Sequence, residues 1–209
     1  MTGTVLVADD HPLFRQALRL AVEKILPEAS IAEAGTLATA VAAATAAPDL
    51  RLILLDLKMP GATGYSGIAL LHAECPDVPI LVVSSAEGAA AADEARAFGA
   101  IGFLHKGSDL GAIEAAVAAA IGRRPAPRSP APDSATETIR ETVASLTPTQ
   151  LKVLLAVLDG QLNKQIAHNL GISEATVKAH MTAIMRKLDV RNRTQAALVA
   201  RSLGLDLAH

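Results

Sequence analysis

Two rhythms divide the chain. Over its first 121 residues, short apolar runs alternate with longer stretches in which apolar residues recur every three or four positions. The runs at 5–9, 30–33, 52–56, 80–84 and 102–104 predict strands. The stretches 12–26, 37–46, 66–73, 89–98 and 110–121 predict helices. The strand runs are apolar on successive positions rather than alternating, as strands covered on both faces are. Five strand–helix units in sequence predict an α/β module, a (βα)5 doubly wound parallel sheet. In such sheets functional groups gather beyond the carboxyl ends of the strands.

Residues 146–209 carry no strand rhythm and predict a small all-α domain of four short helices. Thr147, Pro148 and Gln150 make a capped start with proline at the first helical position, and Gly160 closes that helix. Asn163 is the expected cap of the second helix, which Gly171 closes; Ser173 caps a third running to about Leu188, and Asn192 caps a fourth. On the third, Val177, Met181, Ile184 and Leu188 fall on one apolar stripe, while Ala175, Lys178, Ala179, Thr182 and Arg186 take another face. The second and third helices join through Gly171, Ile172 and Ser173, the spacing of a helix-turn-helix. Small residues beside Lys178 suit close approach to a duplex groove, and Lys164, Arg191 and Arg193 near helix starts suit phosphates.

Between the modules, residues 123–145 hold four prolines within eight positions, so a semi-extended linker is expected, with a short helical lead-in over 136–144. Charge follows the same division. Residues 1–122 carry 7 Lys/Arg against 14 Asp/Glu, and residues 146–209 carry 8 against 4. An acidic front and a basic rear predict different partners, a polyanion for the second. The hydrophobic share of 51% excludes a disordered chain, and no apolar run is long enough to cross a membrane. A carboxylate pair so near the start leaves no room for a signal peptide, and a lone cysteine, Cys75, forms no internal disulfide; both fit a cytoplasmic protein.

The strand-end rule brings particular residues together. Asp9 and Asp10 end the first strand, Asp56 the third and Ser84 the fourth, and Lys106 follows the fifth. Carboxylates this close repel unless a cation offsets them. Hard oxygen ligands with room for waters suit Mg²⁺, and a carboxylate beside such an ion can attack phosphorus to give an aspartyl phosphate. Taken singly, Asp9 and Asp10 are also good helix caps, Lys106 an ordinary surface lysine and His11 a turn residue before Pro12.

The segments Val-Leu-Val-Ala-Asp9-Asp10-His11-Pro12-Leu-Phe-Arg, Leu-Leu-Asp56-Leu-Lys58-Met59-Pro60-Gly61, Val-Val-Ser84-Ser85 and Gly-Phe103-Leu-His-Lys106 resemble a two-component receiver domain across residues 4–121. The resemblance implies a flavodoxin-like fold and a phosphate accepted on Asp56 from a sensor histidine kinase. It implies Mg²⁺ held by Asp9, Asp10, Asp56 and the Lys58 backbone carbonyl, phosphoryl oxygens bound by Ser84 and Lys106, and a switch formed by Ser84 and Phe103. Two departures stand out: Gly107 where many receivers have proline, and a glycine-rich loop over 61–67 one residue longer than the common form.

Residues 146–204, with Asn163-Lys164-Gln-Ile166-Ala167, Gly-Ile172-Ser173-Glu-Ala-Thr176-Val177-Lys178-Ala-His180, Lys187-Leu188 and Asn192-Arg193-Thr194, resemble a DNA-binding domain of the LuxR/NarL/FixJ type. By that likeness Thr176, Lys178, Ala179 and Thr182 belong to the DNA-facing surface, and Lys164, Lys187, Arg193 and Thr194 touch phosphates. Thr149 and Gln150 replace the usual Arg-Glu, which weakens any ion pair from the first helix. The combined expectation is a response regulator rather than an enzyme, limited to phosphotransfer and self-dephosphorylation. It has promoter DNA as partner and a homodimer on phosphorylation. The rivals are a DNA binder whose receiver acts without phosphate, and an aspartyl-phosphate hydrolase of small molecules.

Overall fold

A computed structural model of the chain describes residues 3–85, 89–121, 142–143, 145–202 and 205–206. The expected linker and its lead-in helix fall outside these residues, apart from 142, 143 and 145. The chain folds as two compact units, each described by itself.

The first unit alternates β1 (Thr4–Ala8), α1 (Pro12–Ile25), β2 (Ser30–Ala34), α2 (Leu37–Ala46), β3 (Leu50–Leu55), α3 (Ser66–Glu74), β4 (Ile80–Ser84), α4 (Ala89–Ala97), β5 (Ala100–His105) and α5 (Leu110–Ala120). The five strands pair in parallel in the order β2-β1-β3-β4-β5. This is the flavodoxin-like order, with its switch point between β1 and β3. Val5, Leu6, Val7 and Ala8 are all fully buried, as are Leu52 to Leu55. Those positions therefore read as unbroken apolar runs. Alternate residues serve alternate faces: Val5, Val7, Leu52 and Leu54 pack with Leu18, Val22, Ile113 and Val117 under α1 and α5. At the edge, β2 has Ser30 and Glu33 exposed. Strand β5 runs longer than its apolar run suggests because pairing with β4 continues through Ala100 and His105, whatever their side chains.

The second unit holds α6 (Pro148–Leu158), α7 (Asn163–Leu170), α8 (Glu174–Lys187) and α9 (Arg193–Ser202). Thr147 and Gln150 form the capping box, with Gln150 N–H donating to Thr147 Oγ1 at 3.3 Å and Thr147 N–H to Gln150 Oε1 at 3.2 Å. Ser173 Oγ caps α8 through the Thr176 N–H at 3.1 Å, and Asn192 Oδ1 caps α9 through the Gln195 N–H at 2.8 Å. The second helix differs from expectation. Its N-cap is Leu162, whose N–H donates to Gln165 Oε1 at 2.7 Å; Asn163 is already helical and accepts from Arg193 instead. Leu205 and Asp206 adopt strand geometry that two residues are too few to announce by pattern. The α8 stripe of Val177, Met181, Ile184 and Leu188 is buried, with Ile166, Leu151 and Leu154 in the same unit's core. Among the described residues no helix is long and apolar enough to cross a membrane.

Gly171 closes α7 at φ 65°, and no atom lies within 4 Å of where a Cβ would stand. Gly171→Ala therefore carries only the left-handed backbone penalty. Chemical denaturation is expected to show a loss of about 1–2 kcal/mol in this unit.

Candidate functional site

The strand edge positions the front cluster through backbone bonds. Asp9 N–H donates to the Ala34 carbonyl (3.0 Å), Asp56 N–H to Ala8 (2.8 Å) and Lys106 N–H to Ser84 (2.9 Å). Each polar residue thus leaves its strand beside its neighbour's end. The ligand-bearing atoms of Asp9, Asp10, His11 and Asp56 all lie within 4.8 Å of one another. Asp9, Asp56 and Ser84 are buried, while Asp10 is half-exposed. Lys106 Nζ reaches over them, 2.7 Å from Asp9 Oδ2 and 2.9 Å from Asp56 Oδ2.

Burial works against the Lys106 charge, yet the two carboxylates outweigh it and hold its pKa above the ordinary value. The stability this charge contributes is complete below the ordinary lysine value of 10.5 and is lost only as pH rises through the raised folded value. The ammonium is therefore fixed across the physiological range.

Other expected residues sit around this centre. The Lys58 side chain is exposed, two residues past Asp56, between the buried Leu57 and Met59. Phe103 is half-buried on β5, in register with Val82 rather than with Ser84. His11 is the residue before α1: its N–H donates to Asp9 Oδ1 at 2.8 Å, and its Nδ1 lies 2.6 Å from Asp10 Oδ1. Gly107 has a local cause. Its N–H donates to His105 Nδ1 at 3.0 Å, and a Cβ would stand 2.8 Å from that nitrogen. Proline could not make the bond. In the glycine-rich loop Gly61 and Gly64 take φ of 83° and 56°, and Tyr65 stacks on Phe98 with ring centroids 5.5 Å apart.

Two residues of α1 that the sequence offered only as part of the receiver motif, with no role of their own, also contribute. The Phe14 ring lies 5.0 Å from Lys106 Nζ, a cation–π distance, and Arg15 Nη1 donates to the Asp9 backbone carbonyl at 2.7 Å. The helical spacing Phe14, Leu18, Ala21 places Phe14 toward the sheet, but no local pattern pairs it with a lysine 92 positions on.

In the second unit, Thr176, Lys178, Ala179 and Thr182 are exposed on α8, opposite its buried stripe; Lys164 on α7 and Thr194 on α9 are exposed as well. A groove of about 430 Å³ runs beside α8, with Lys178, Thr182, Arg191, Asn192 and Arg193 in its wall. Two expected phosphate contacts are engaged internally. Lys187 Nζ donates to the Ser145 carbonyl (2.8 Å) and to Gln150 Oε1 (3.0 Å). Arg193 donates to Asn163 Oδ1 at 3.0 Å and to the Gln161 carbonyl. Gln150 thus takes Lys187 by a hydrogen bond to a neutral amide where a glutamate would pair by charge.

Residues 5–118 match the family described as response regulator receiver domain, and residues 144–200 match bacterial regulatory proteins of the luxR family. The chain is 39% identical to the glycerol metabolism activator of Pseudomonas putida over 207 residues, covering 94% of each chain. It is 33% identical to the nitrate/nitrite response regulator protein NarP of Escherichia coli, covering 93% of each. Among solved structures, the Salmonella typhimurium RcsB response regulator is similar in fold, at a TM-score of 0.51 and 22% identity, covering 98% of this chain and all of that one. With a receiver fold carrying an acidic cluster at its strand ends and a helix-turn-helix unit following it in the sequence, the chain belongs to the two-component response regulators with a LuxR-type DNA-binding domain, regulators that act by binding DNA.

Proposed function

We propose that Asp56 is the phosphoacceptor, and that its phosphorylation controls promoter binding by the second unit. The observation that carries this reading is the placing of a buried Asp56 within 4.8 Å of two further carboxylates, under an ammonium 2.9 Å away. An Asp56 carboxylate oxygen attacks the phosphorus of a phosphohistidine on a sensor histidine kinase. The P–N bond breaks, its electron pair returns to the imidazole, and an acyl phosphate forms. Asp9, Asp10, Asp56 and the Lys58 carbonyl suit a hard divalent ion by their oxygen donors. Mg²⁺, when bound, supplies charge neutralisation at the transferring phosphoryl group.

Lys106 and the Ser84 hydroxyl bind the phosphoryl oxygens. Lys106 gives up its contacts with Asp9 and Asp56 to do so. Ser84 and Phe103 shift inward, altering the surface around α4 and β5. The added charge of about −1.5 to −2 is enough to bias a bistable element. The altered surface favours a homodimer or frees α8. Lys178, Ala179 and Thr182 then face bases beside Thr176, while Lys164, Arg191 and Thr194 meet phosphates; Lys187 and Arg193 act first as struts and offer their remaining donors. The unit boundaries proposed are 1–122, 123–145 and 146–209. The chain's own chemistry is confined to phosphotransfer and self-dephosphorylation, in the cytoplasm.

Intact-protein mass after incubation with Mg²⁺ and a small phosphodonor is expected to rise by one phosphoryl group in the wild type and not in Asp56→Ala. An unlabelled wild type beside a control receiver labelled by the same donor would count against the assignment. Lys178→Ala is expected to weaken specific promoter binding by about 1–3 kcal/mol while phosphorylation proceeds normally. Footprinting of wild type and variant on one promoter checks this, and an unchanged footprint removes α8 as the reading helix.

A further inference from the structure

Arg15 stands one turn into α1, its N–H bonded to the His11 carbonyl at 3.0 Å. Its guanidinium turns back to the sheet: Nη1 donates to the Asp9 carbonyl at 2.7 Å and Nε to Glu33 Oε2 at 3.3 Å. The side chain is only 21% exposed. Asp9 is held at its backbone and at its side chain. Its N–H donates to Ala34 of β2 and its C=O accepts from Arg15, while its carboxylate accepts from the His11 N–H and pairs with Lys106 Nζ at 2.7 Å, so Arg15 is the one side chain among the described residues that fixes its backbone. The residue after it is Asp10, so the orientation of this one turn sets the direction of two of the three clustered carboxylates.

We propose that Arg15, braced by Glu33, is the positioning residue of the cation site: it holds the turn so that Asp9 and Asp10 converge with Asp56. The proposal rests on reading these carboxylates as the cation ligands. It makes a prediction opposite in sign to simple electrostatics. A guanidinium near a cation site repels the incoming ion through space, so a residue that merely lay nearby would weaken binding, and its removal would tighten it. A residue that holds the ligands in place has the reverse effect, because two like charges released from their turn separate.

The test is calorimetric titration of Mg²⁺ into the full chain as wild type, Arg15→Ala, Arg15→Lys and Asp10→Asn, with circular dichroism to confirm folding. Arg15→Ala is expected to bind roughly tenfold more weakly, at the low end of what outer-shell partners cost a metal site. Arg15→Lys keeps the charge but not the two-pronged reach, and is expected to fall between the two. Affinity in Arg15→Ala equal to or tighter than wild type overturns the proposal. Should Arg15→Ala fail to fold, Arg15→Lys decides alone, with weaker binding supporting and unchanged binding overturning it. Asp10→Asn separates the two levels: unchanged affinity there overturns the carboxylate site itself, whereas loss there with no loss at Arg15 overturns only the role of Arg15.

Discussion

The front unit is organised around a charge problem that the fold itself creates. Parallel strands β1 and β3 end side by side, and both continue into aspartates, so Asp9 and Asp56 emerge buried and adjacent. Lys106, arriving from the end of β5, places one ammonium within 2.9 Å of both. Removing two carboxylates from water is costly, and close pairing offsets that cost only when geometry and hydrogen bonds are good. The same arrangement underlies the proposed phosphotransfer, since an ammonium that neutralises two carboxylates is also placed to meet added phosphoryl oxygens.

The α1 helix takes part in this from the side. Phe14 offers the Lys106 ammonium a ring face, and Arg15 fixes the Asp9 turn to β2. The helix is packed on its inner face through Leu18, Ala21 and Val22. Its first turn is consequently a rigid support for groups on three different strands.

The second unit solves a different problem, the presentation of one helix. Val177, Met181, Ile184 and Leu188 anchor α8 in a small core, which leaves Lys178, Ala179 and Thr182 outward. Lys187 ties the end of α8 to Ser145 and Gln150, and Arg193 ties the start of α9 to Asn163 and Gln161. A core this small gains its rigidity from such cross-links between helix ends as well as from apolar burial.

Much of this was legible in the chain alone. Doubly buried strands leave unbroken apolar runs, helix caps leave Thr147, Ser173 and Asn192 before periodic stretches, and the strand-end rule gathers Asp9, Asp10, Asp56, Ser84 and Lys106 from residue order alone. Such features depend on local periodicity or on topology, both written in residue order. What residue order does not carry is the contact made across the sheet. Phe14 reaches Lys106 and Arg15 reaches both Asp9 and Glu33, while Lys187 and Arg193 turn inward although they stand where surface cations would be expected. Asn163, a good cap by type, lost that place to the geometry of Leu162 and Gln165 and became a partner for Arg193 instead. Long cationic side chains have several staggered conformations of similar energy, and only the packed fold, by offering a carbonyl, a carboxylate or a ring at the right distance, selects one.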